Sequence, residues 1–314
     1  MKNKHLIIIN PMSGVRKTLR DKSLINNALS KIPGNPEIVY TERRLHAVEI
    51  AKTYVERGCR RIIVVGGDGT LNEAVNGIFA QESCDPTEVT IGIVPVGTGN
   101  DWRRIYNIPP DYQKAVDIIL KNKTVMQDVG IVKYFEDDDP KIRYFANVAG
   151  IGFDARVARR VNIAKERGRG GKLTYIKHLV ASLINTKARD CIIDVDGNSF
   201  ATKTFSMSVG IGKFNGGGIL QLPHAIPDGG LLSATLIGAL GKFEIIMNIH
   251  RIFDGSILKI SKVKALKGKE IRFDSDEIFL LEADGETLGH SPFSFGIIPR
   301  ALRAFSDDAN PYIT

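Results

Sequence analysis

The chain has 314 residues, of which 43% are hydrophobic and 25% charged, values typical of a globular protein of about two domains and not of a disordered or collagen-like chain. It carries 43 Lys and Arg residues against 35 Asp and Glu residues, a formal net charge of +8. This excess favours anionic partners, which include phosphate-bearing ligands, nucleic acid and acidic membrane surfaces, and the charge alone does not choose among them.

The cysteines and the hydrophobic runs predict a cytoplasmic protein. Cys59, Cys84 and Cys191 form no C-x-x-C pair and are too few for a disulfide framework. The apolar run at residues 6–9 is shorter than the roughly seven residues that a secretory signal requires. No run approaches the ~18 to 20 apolar residues that span a bilayer.

The first 130 residues alternate short apolar runs with amphipathic stretches, a pattern that predicts βα units around a parallel sheet. The predicted strands are residues 6–9, 37–40, 61–65 and 90–95. The predicted helices are residues 22–31, 46–58, 71–80 and 111–121, with a further helix after residue 101.

From about residue 128 the pattern changes to short β-rich runs bounded by Gly, Asp or Asn. These runs are residues 129–135, 142–148, 190–197, 203–212, 231–238, 262–268, 270–275 and 278–286. One basic helical segment, residues 155–186, interrupts them. The sequence therefore predicts an antiparallel, sandwich-like second domain.

The strongest local signal is the segment RIIVVGGDGTLNEAVNG at residues 61–77, a strand followed by a glycine-rich turn and a helix that is predicted to begin after Thr70. Adjacent glycines leave backbone N–H groups open to an anion, and the helix N-terminus adds partial positive charge. The segment therefore predicts a phosphate site. The alternative is a tight βα turn in which Asp68 caps the helix.

Two similar loops strengthen the phosphate interpretation. NPMSG at residues 10–14 follows the first strand, and VGTGND at residues 96–101 follows the fourth. Open α/β sheets bind ligands at the carboxyl ends of their strands, where all three loops are predicted to lie. The standard P-loop and G-x-G-x-x-G patterns are both missing, since residues 168–174 have the wrong glycine spacing and NPMSG has one glycine.

These motifs together resemble the diacylglycerol kinase catalytic family, which includes bacterial soluble lipid kinases and sphingosine kinases. Other segments that match it in order and spacing are residues 41–47, 145–155, 216–218, 223–229, 282–286 and 292–302. The resemblance thus covers nearly the whole chain. NAD kinases share GGDGT, but the chain matches their other motifs poorly.

The resemblance implies an α/β ATP-binding domain with a parallel sheet, of the NAD-kinase/diacylglycerol-kinase type, and a C-terminal β-sandwich domain that binds lipid. The ATP-binding domain would comprise residues 1–128, completed by about 297–314, and the lipid-binding domain residues 129–296. The implied reaction transfers the γ-phosphate of ATP to a lipid hydroxyl with Mg²⁺. A NAD-kinase-like transferase and a non-catalytic nucleotide- or lipid-binding relative remain the alternatives.

Carried over onto matching positions, the resemblance assigns the site residues. The general base corresponds to Glu286 in the DGE element, and Asp68 would lie near the phosphates and the metal. The implied nucleotide contacts are Asn10, Pro11, Met12, Ser13, Gly14, Thr41, Gly66, Gly67, Asp68, Gly69, Thr70, Leu71, Asn72, Glu73, Gly97, Thr98, Gly99 and Asn100.

The chemistry of phosphoryl transfer agrees with these residues. The reaction requires neutralisation of the phosphate charge and a carboxylate that accepts the proton of the attacking hydroxyl. Asp68, Asp101 and Asp284 are predicted to arrange metal-bound water, and Glu286 is predicted to act as the base. For Asp284 and Glu286 the alternative is an ordinary β-turn with flanking acids.

The sequence departs from the family pattern at two positions. Gly229 stands where bacterial relatives carry an Asp that binds a structural magnesium ion. The adjacent Asp228 is the candidate replacement, although a one-residue shift on a strand reverses the direction of a side chain. Ile211 stands where relatives commonly carry Asn.

Residues 156–177 hold eight Lys or Arg against the single acid Glu166. This stretch is predicted to be either a solvated basic face or a docking surface for an anionic leaflet. The expected partners are a membrane lipid as substrate and an anionic membrane surface in peripheral contact, with no nucleic acid and a possible homodimer. The acceptor stays open among diacylglycerol, a sphingoid base and phosphatidylglycerol.

Overall fold

The computed structural model describes residues 5–97, 99–166, 178, 181–183 and 186–307. The chain divides into two compact units. Unit 1 comprises Met1–Asp128 and Pro299–Thr314, and unit 2 comprises Val129–Ile298.

Unit 1 is an α/β domain. Its strands are β1 (His5–Ile9), β2 (Glu37–Tyr40), β3 (Arg61–Gly66), β4 (Thr90–Pro95) and the start of β5 (Thr124–Glu136). Its helices are α1 (Ser13–Arg20), α2 (Lys22–Leu29), α3 (His46–Glu56), α4 (Asp68–Ala80), α5 (Trp102–Ile105) and α6 (Tyr112–Leu120), with a short 3₁₀ turn at Pro86–Glu88.

The sheet of unit 1 is parallel and runs in the order β2-β1-β3-β4, with the C-terminal end of the chain's last strand added parallel to β4. Its central strands are buried except for the half-buried Arg61 at the start of β3, because helices cover both faces of such a sheet. One hydrophobic core joins side chains of β1, β3 and β4 to α2 and α6.

Unit 2 is built of antiparallel strands. After β5 they are β6 (Asp139–Phe145), β7 (Val148–Gly152), β8 (Arg189–Val195), β9 (Asn198–Thr204), β10 (Ser206–Gly210), β11 (Leu232–Ile237), β12 (Val263–Gly268), β13 (Glu270–Asp274), β14 (Leu280–Ala283) and β15 (Glu286–Phe305).

Two sheets of unit 2 share the long strand β15. Its first residues pair with β14 in the order β12-β11-β10-β7-β14-β15. Residues 293–296 pair instead with β13, which continues to β8 and β9. Aromatic and aliphatic side chains from both sheets form one core. The predicted fold class, a parallel α/β domain followed by a β-sandwich domain, is therefore confirmed.

The helices of unit 2 differ from the sequence-based prediction. Of the single helix predicted over residues 155–186, the structure describes α7 (Phe153–Glu166) and, farther on, the helical residues 178 and 181–183. Residues 167–177, 179–180 and 184–185 lie outside the described residues. The helices α8 (Lys242–Asn248) and α9 (Arg251–Asp254) and a 3₁₀ turn at Ser256–Lys259 were not predicted. Within the described ranges, no helix is long and apolar enough to cross a bilayer.

Candidate active site

Three glycine-containing loops meet at the carboxyl edge of the sheet in unit 1. They follow β1, β3 and β4, which are neighbours in the sheet. Val96 donates its backbone N–H to the carbonyl oxygen of Gly66 at 2.8 Å, which ties the loop after β4 to the loop after β3. The structure therefore brings together residues 10–14, 66–70 and 96–100.

The glycines in these loops allow the backbones to approach each other closely. A Cβ added at Gly97 would lie 2.8 Å from the Cα of Gly67 and 2.5 Å from Oδ1 of Asn100. A Cβ at Gly14 would lie 2.3 Å from the carbonyl oxygen of Val96. Any larger residue at these positions would push the loops apart at the edge where the sequence predicts phosphate contacts.

Two asparagines fix the loop conformations. Asn10 donates from Nδ2 to Oγ1 of Thr70 at 2.9 Å and accepts from the backbone N–H of Met12 at 2.9 Å. Asn100 accepts from the backbone N–H of Gly97 at 3.0 Å and donates to its carbonyl oxygen at 2.6 Å. Both side chains brace the loops from within, so a ligand would meet loops that are already ordered.

The loop after β1 leads into a first turn of α1 that has an unusual backbone. Gly14, Val15 and Arg16 all have positive φ angles, at 61°, 55° and 64°. Glycine adopts this region freely, but a β-branched residue such as Val15 does so only at a cost in strain. Backbone strain of this kind is concentrated at functional sites in proteins.

Helix α4 begins earlier than the sequence predicts. Its first residue is Asp68, and Gly67 in an extended conformation occupies the N-cap position. The predicted start after Thr70 is therefore wrong, and so is the alternative in which Asp68 caps the helix. Oδ1 of Asp68 instead accepts the backbone N–H of Trp102 at 3.1 Å, which places this carboxylate between the first turns of α4 and α5.

The second half of the predicted nucleotide segment is used inside the domain. The side chains of Leu71 and Asn72 are buried, and Asn72 accepts from Nδ2 of Asn76. The buried carboxylate of Glu73 accepts the backbone N–H groups of Leu45 and Ala47 at 3.0 and 3.1 Å. The side chains of Asn72 and Glu73 thus bond within α4 and to the start of α3, and the predicted contact of residues 71–73 with a nucleotide stays a prediction.

The remaining predicted residues of unit 1 lie at the same edge. Thr41 follows β2, and its backbone N–H donates to Ile9 at 2.9 Å. Met12 is exposed, whereas Asp101 is buried and its Oδ1 lies 3.3 Å from Nε of Arg104. This pairing gives Asp101 a structural partner, and its predicted role at a metal stays a prediction. Thr98 lies outside the described residues.

The predicted base, Glu286, follows a tight hairpin turn in unit 2. Asp284 and Gly285 both have positive φ, at 50° and 83°, and connect β14 to β15 with Ala283 opposite Glu286. Such angles define a two-residue type I′ turn, for which Asp-Gly is a favoured sequence. The β-turn given above as the alternative for this segment is thus its local structure, and Glu286, directly after the turn, is half-buried.

The carboxylate of Asp284 holds this hairpin in place. It accepts backbone N–H groups from Ala146, Asn147 and Val148 at 2.8, 3.0 and 3.1 Å. From the other side, Asn162 on α7 donates to the carbonyl oxygen of Gly285 at 2.9 Å. These bonds give Asp284 a structural role, and its predicted action on water or metal stays untested.

Glu282 is a buried acid beside the turn that the sequence reasoning did not single out. It accepts the backbone N–H of Gly285 at 2.8 Å and Nδ2 of Asn215 at 2.9 Å. Burial, with smaller contributions from the nearby charges of Asp154 and Asp284, raises the pKa of Glu282 to about 8. Its place in the EADGE segment, two residues before Asp284, was the available signal.

Asp154 belongs to the same polar cluster. It accepts from Oγ of Ser208 at 2.8 Å, and burial of the carboxyl group raises the pKa of Asp154 to about 6. A Cβ added at Gly150 would lie 2.7 Å from both the Cβ of Asp154 and Oε1 of Glu282. Perturbed acids that cluster in this way are a frequent feature of functional sites.

The two departures from the family pattern have local explanations. Gly229 closes a turn in which its N–H donates to Ile226 at 3.2 Å, and an added Cβ would lie 3.1 Å from that of Ile226. Ile211 is buried in the core of unit 2. Among the described residues no three His, Cys, Asp or Glu side chains are grouped to hold a metal ion, so metal binding by Asp228 or Asp68 stays a prediction.

The fold and its loops thus define a two-domain protein with a glycine-lined sheet edge in one domain and a braced acidic hairpin in the other. Comparison with known families agrees. Residues 4–132 match the diacylglycerol kinase catalytic domain, and residues 147–306 match the YegS C-terminal NAD kinase beta sandwich-like domain. The chain belongs to the diacylglycerol kinase catalytic family.

Curated relatives match over most of their length. A protein of Staphylococcus haemolyticus named diacylglycerol kinase is 30% identical over 92% of this chain and 84% of its own. One of Staphylococcus carnosus with the same name is 28% identical over 94% of this chain and 92% of its own. These matches support a kinase, a transferase of phosphoryl groups, as the class of activity.

Solved structures share the fold. A crystal structure described as a diacylglycerol kinase from Bacillus anthracis superposes with a TM-score of 0.72 at 21% identity, and the match covers 98% of both chains. Yeast NADH kinase with bound NADH superposes with a TM-score of 0.53 at 12% identity over 98% of this chain and 84% of the yeast chain.

Proposed function

We propose that the protein is an ATP-dependent lipid kinase that transfers the γ-phosphate to a lipid hydroxyl, with diacylglycerol as the leading acceptor. The observation that carries this proposal is the convergence of three glycine-containing loops on the start of α4 in unit 1. Membership of the diacylglycerol kinase catalytic family supports the reaction, and the names of the curated relatives support the acceptor.

The loop edge of unit 1 fits a polyphosphate. The N-terminus of α4 carries partial positive charge, which favours an anion at this end. The glycines at positions 66, 67 and 97 let the loops pack closely at this edge, because a Cβ at each would lie only 2.9, 3.2 and 2.5 Å from neighbouring atoms. We assign the triphosphate of ATP to this edge.

Mg²⁺ that accompanies ATP is bound in proteins by one or two carboxylates together with the phosphates, and not by an all-protein cage. A grouping of three acids is therefore unnecessary, and Asp68 at the first turn of α4 is the fitting carboxylate. The ion would offset phosphate charge there.

Glu286 is assigned as the general base. A lipid hydroxyl is a weak nucleophile, so a carboxylate has to accept its proton as the new P–O bond forms. The hairpin that carries Glu286 is held by the bonds of Asp284, Glu282 and Asn162. A rigid support of this kind is what a catalytic side chain requires in order to keep its geometry.

The location and the partners follow from the substrate. We propose that the protein is cytoplasmic and reaches the bilayer by peripheral contact, because the proposed acceptor is a membrane lipid. We retain a homodimer as a proposal that depends on the family alone.

The experiment incubates the purified chain with labelled ATP and Mg²⁺ in three parallel reactions, which contain mixed micelles of total lipid extract, NAD, or no acceptor. The proposal predicts label in a lipid product, which mass spectrometry then identifies. Label in NADP would instead support a NAD-kinase-like transferase. Binding of ATP without any turnover would support a non-catalytic relative.

A further inference from the structure

The helices α8 and α9 present an apolar face to solvent. They follow one another closely, and the bonds from Ile249 N to Ile246 O and from Phe253 N to His250 O continue the helical turns between them. Phe243, Ile246, Met247 and Phe253 are 77, 57, 59 and 62% exposed, and Ile249 is 37% exposed. We call these five residues the α8–α9 stripe.

The spacing of the stripe places its members on one side of the helical segment. Positions three, four, six and ten residues after Phe243 lie within one face of a helix. The half-buried residues of the segment are Glu244, Ile245, Asn248, Arg251 and Ile252, so the helices bury only part of their apolar surface and leave the stripe exposed. Single exposed apolar residues need no explanation, but a contiguous apolar patch marks a binding surface.

Basic side chains accompany the stripe. Residues 242–264 contain five Lys or Arg, namely Lys242, Arg251, Lys259, Lys262 and Lys264, against only two acids. Both acids are engaged locally, since Glu244 pairs with Lys262 at 2.8 Å and Asp254 accepts from Oγ of Ser256 at 2.7 Å. The segment therefore combines apolar bulk with net positive charge.

A second basic surface adjoins the segment within unit 2. A cavity of about 290 Å³ is lined by Arg156, Arg159 and Arg160 of α7 and reaches Thr186. A neighbouring cavity of about 380 Å³ begins at Thr186 and ends at Lys242 and Ile245 of α8. The arginines and α8 thus lie on either side of Thr186 and extend the positive charge around the stripe.

Apolar side chains surrounded by cations complement an anionic bilayer better than they complement a second copy of the same surface. Two copies that met through the stripe would bring their Lys and Arg side chains together, and like charges at an interface oppose association. A leaflet that contains anionic lipids accepts the aromatic side chains among its acyl chains and attracts the basic rim.

We infer that the α8–α9 stripe inserts into an anionic membrane leaflet and docks unit 2 on the bilayer. The inference rests on the proposed function in that a lipid kinase has to reach its substrate at a membrane. It replaces a general peripheral contact with a defined surface, which the sequence had not indicated because no helix was predicted there.

The test uses vesicles of phosphatidylcholine with 30% phosphatidylglycerol, about a third of the lipid, so that the surface is clearly anionic. A Phe243→Ser, Met247→Ser, Phe253→Ser variant of the full chain is compared with wild type by flotation, without ATP. The inference predicts at least about a tenfold weaker partition for the variant, since the apolar contribution of three side chains is removed. Binding within twofold of wild type would overturn it.

The matched control is a Leu24→Ser, Ile142→Ser, Ile278→Ser variant, which removes exposed apolar residues outside the stripe. This control is expected to bind vesicles like wild type, and an equal loss of binding in both variants would contradict docking by the stripe. Both variants are checked by thermal melting. The inference would also be overturned if the wild-type protein forms a dimer that the stripe variant does not form, and the variant still binds vesicles like wild type. The stripe would then contact a second copy of the chain.

A Phe243→Trp variant provides a direct reading of insertion. The native tryptophan, Trp102, is buried in unit 1, so a blue shift of the tryptophan fluorescence on addition of vesicles reports the environment of residue 243. The absence of a shift would contradict insertion.

Turnover of a short-chain diacylglycerol in micelles separates the two proposals. If the wild-type protein turns over no lipid in micelles, the kinase assignment is refuted. If the stripe variant turns over lipid in micelles but is deficient in turnover on vesicles, docking by the stripe is supported.

Discussion

The side-chain amide of Asn10 donates a hydrogen bond to the hydroxyl of Thr70, across 2.9 Å and 60 positions of sequence. Asn10 directly follows the first strand of unit 1, and Thr70 lies in the first turn of α4. The bond locks the loop after β1 against the loop after β3. Both loops belong to the edge that we assign to the triphosphate of ATP.

Replacement of Asn10 by Ala should weaken ATP binding. The change removes the bond to Thr70 and the acceptor for the Met12 N–H, and each hydrogen bond of this kind contributes about 1 kcal/mol. We expect a five- to thirtyfold weaker affinity for ATP by calorimetry. Asn27→Ala on the exposed side of α2 is the control. An unchanged affinity in the Asn10 variant would separate these loops from the nucleotide site.

Gly67→Val should abolish nucleotide binding in a folded protein. An added Cβ at Gly67 already lies 3.2 Å from the Cα of Gly97, so the branched side chain has to extend over the edge between the loops. Gly241→Ala is the control, because a Cβ there meets no atom within 4 Å. Calorimetry that gave wild-type ATP affinity for the Gly67 variant would remove this loop from the site.

The Asp284→Asn substitution should lower stability as well as activity. The carboxylate accepts three backbone N–H groups, and an amide cannot replace all of them. Hydrogen bonds to a charged acceptor contribute about 1.5 to 3 kcal/mol each, so we expect a loss of about 2 to 4 kcal/mol in urea denaturation. An equally stable variant would show that Asp284 does not hold the hairpin.

Glu282 should make stability fall as pH rises from about 5 to about 9, whereas His5 and His224, whose pKa values burial lowers, contribute the opposite sign below about pH 6.5. The folded protein keeps the proton of Glu282 up to a pKa of about 8, whereas an unfolded glutamate loses it near its ordinary value of about 4.3. In this window the folded state binds more protons, so each increase in pH favours unfolding. Burial also raises the pKa of Asp154, to about 6, which makes stability fall with rising pH in the same way at lower pH.

The size of this effect follows from 1.36 kcal/mol per unit of pKa shift, which gives about 2 to 4 kcal/mol for Glu282 across the window. Denaturation at several pH values measures it. Glu282→Gln should flatten the profile between about pH 6 and 9, with only the contribution of Asp154 left. A stability that rises with pH in wild type would contradict the burial of a protonated Glu282.

The fold could be predicted because its signals are local and periodic. The runs at residues 6–9, 61–65 and 90–95 are buried strands bounded by turn residues, and the parallel sheet follows from their alternation with helices. The helices α8 and α9 were missed because apolar residues lie on both sides of the segment, with Ile245 and Ile252 opposite the stripe, so the sequence shows no amphipathic period there. The start of α4 was placed too late because Gly67, not a polar side chain, is the N-cap residue.

The candidate site was predictable only in part. The glycine loops were visible as motifs, and the structure brings them to one edge. The buried roles of Asn72 and Glu73 depend on partners in α4 itself and at the start of α3, and contacts 26 or 28 positions away leave no mark in a motif. The perturbed acids Glu282 and Asp154 also depend on burial, which a short sequence pattern does not report.

The most direct test of the account is the turnover of the Glu286→Gln variant with ATP and diacylglycerol micelles. Loss of a general base lowers kcat about 10²- to 10⁴-fold while ATP affinity stays near that of wild type. We predict that result, with a melting temperature close to that of wild type. A folded Glu286→Gln protein that turns over lipid within about threefold of wild type would contradict it and would transfer the role of base to Asp68 or Asp101.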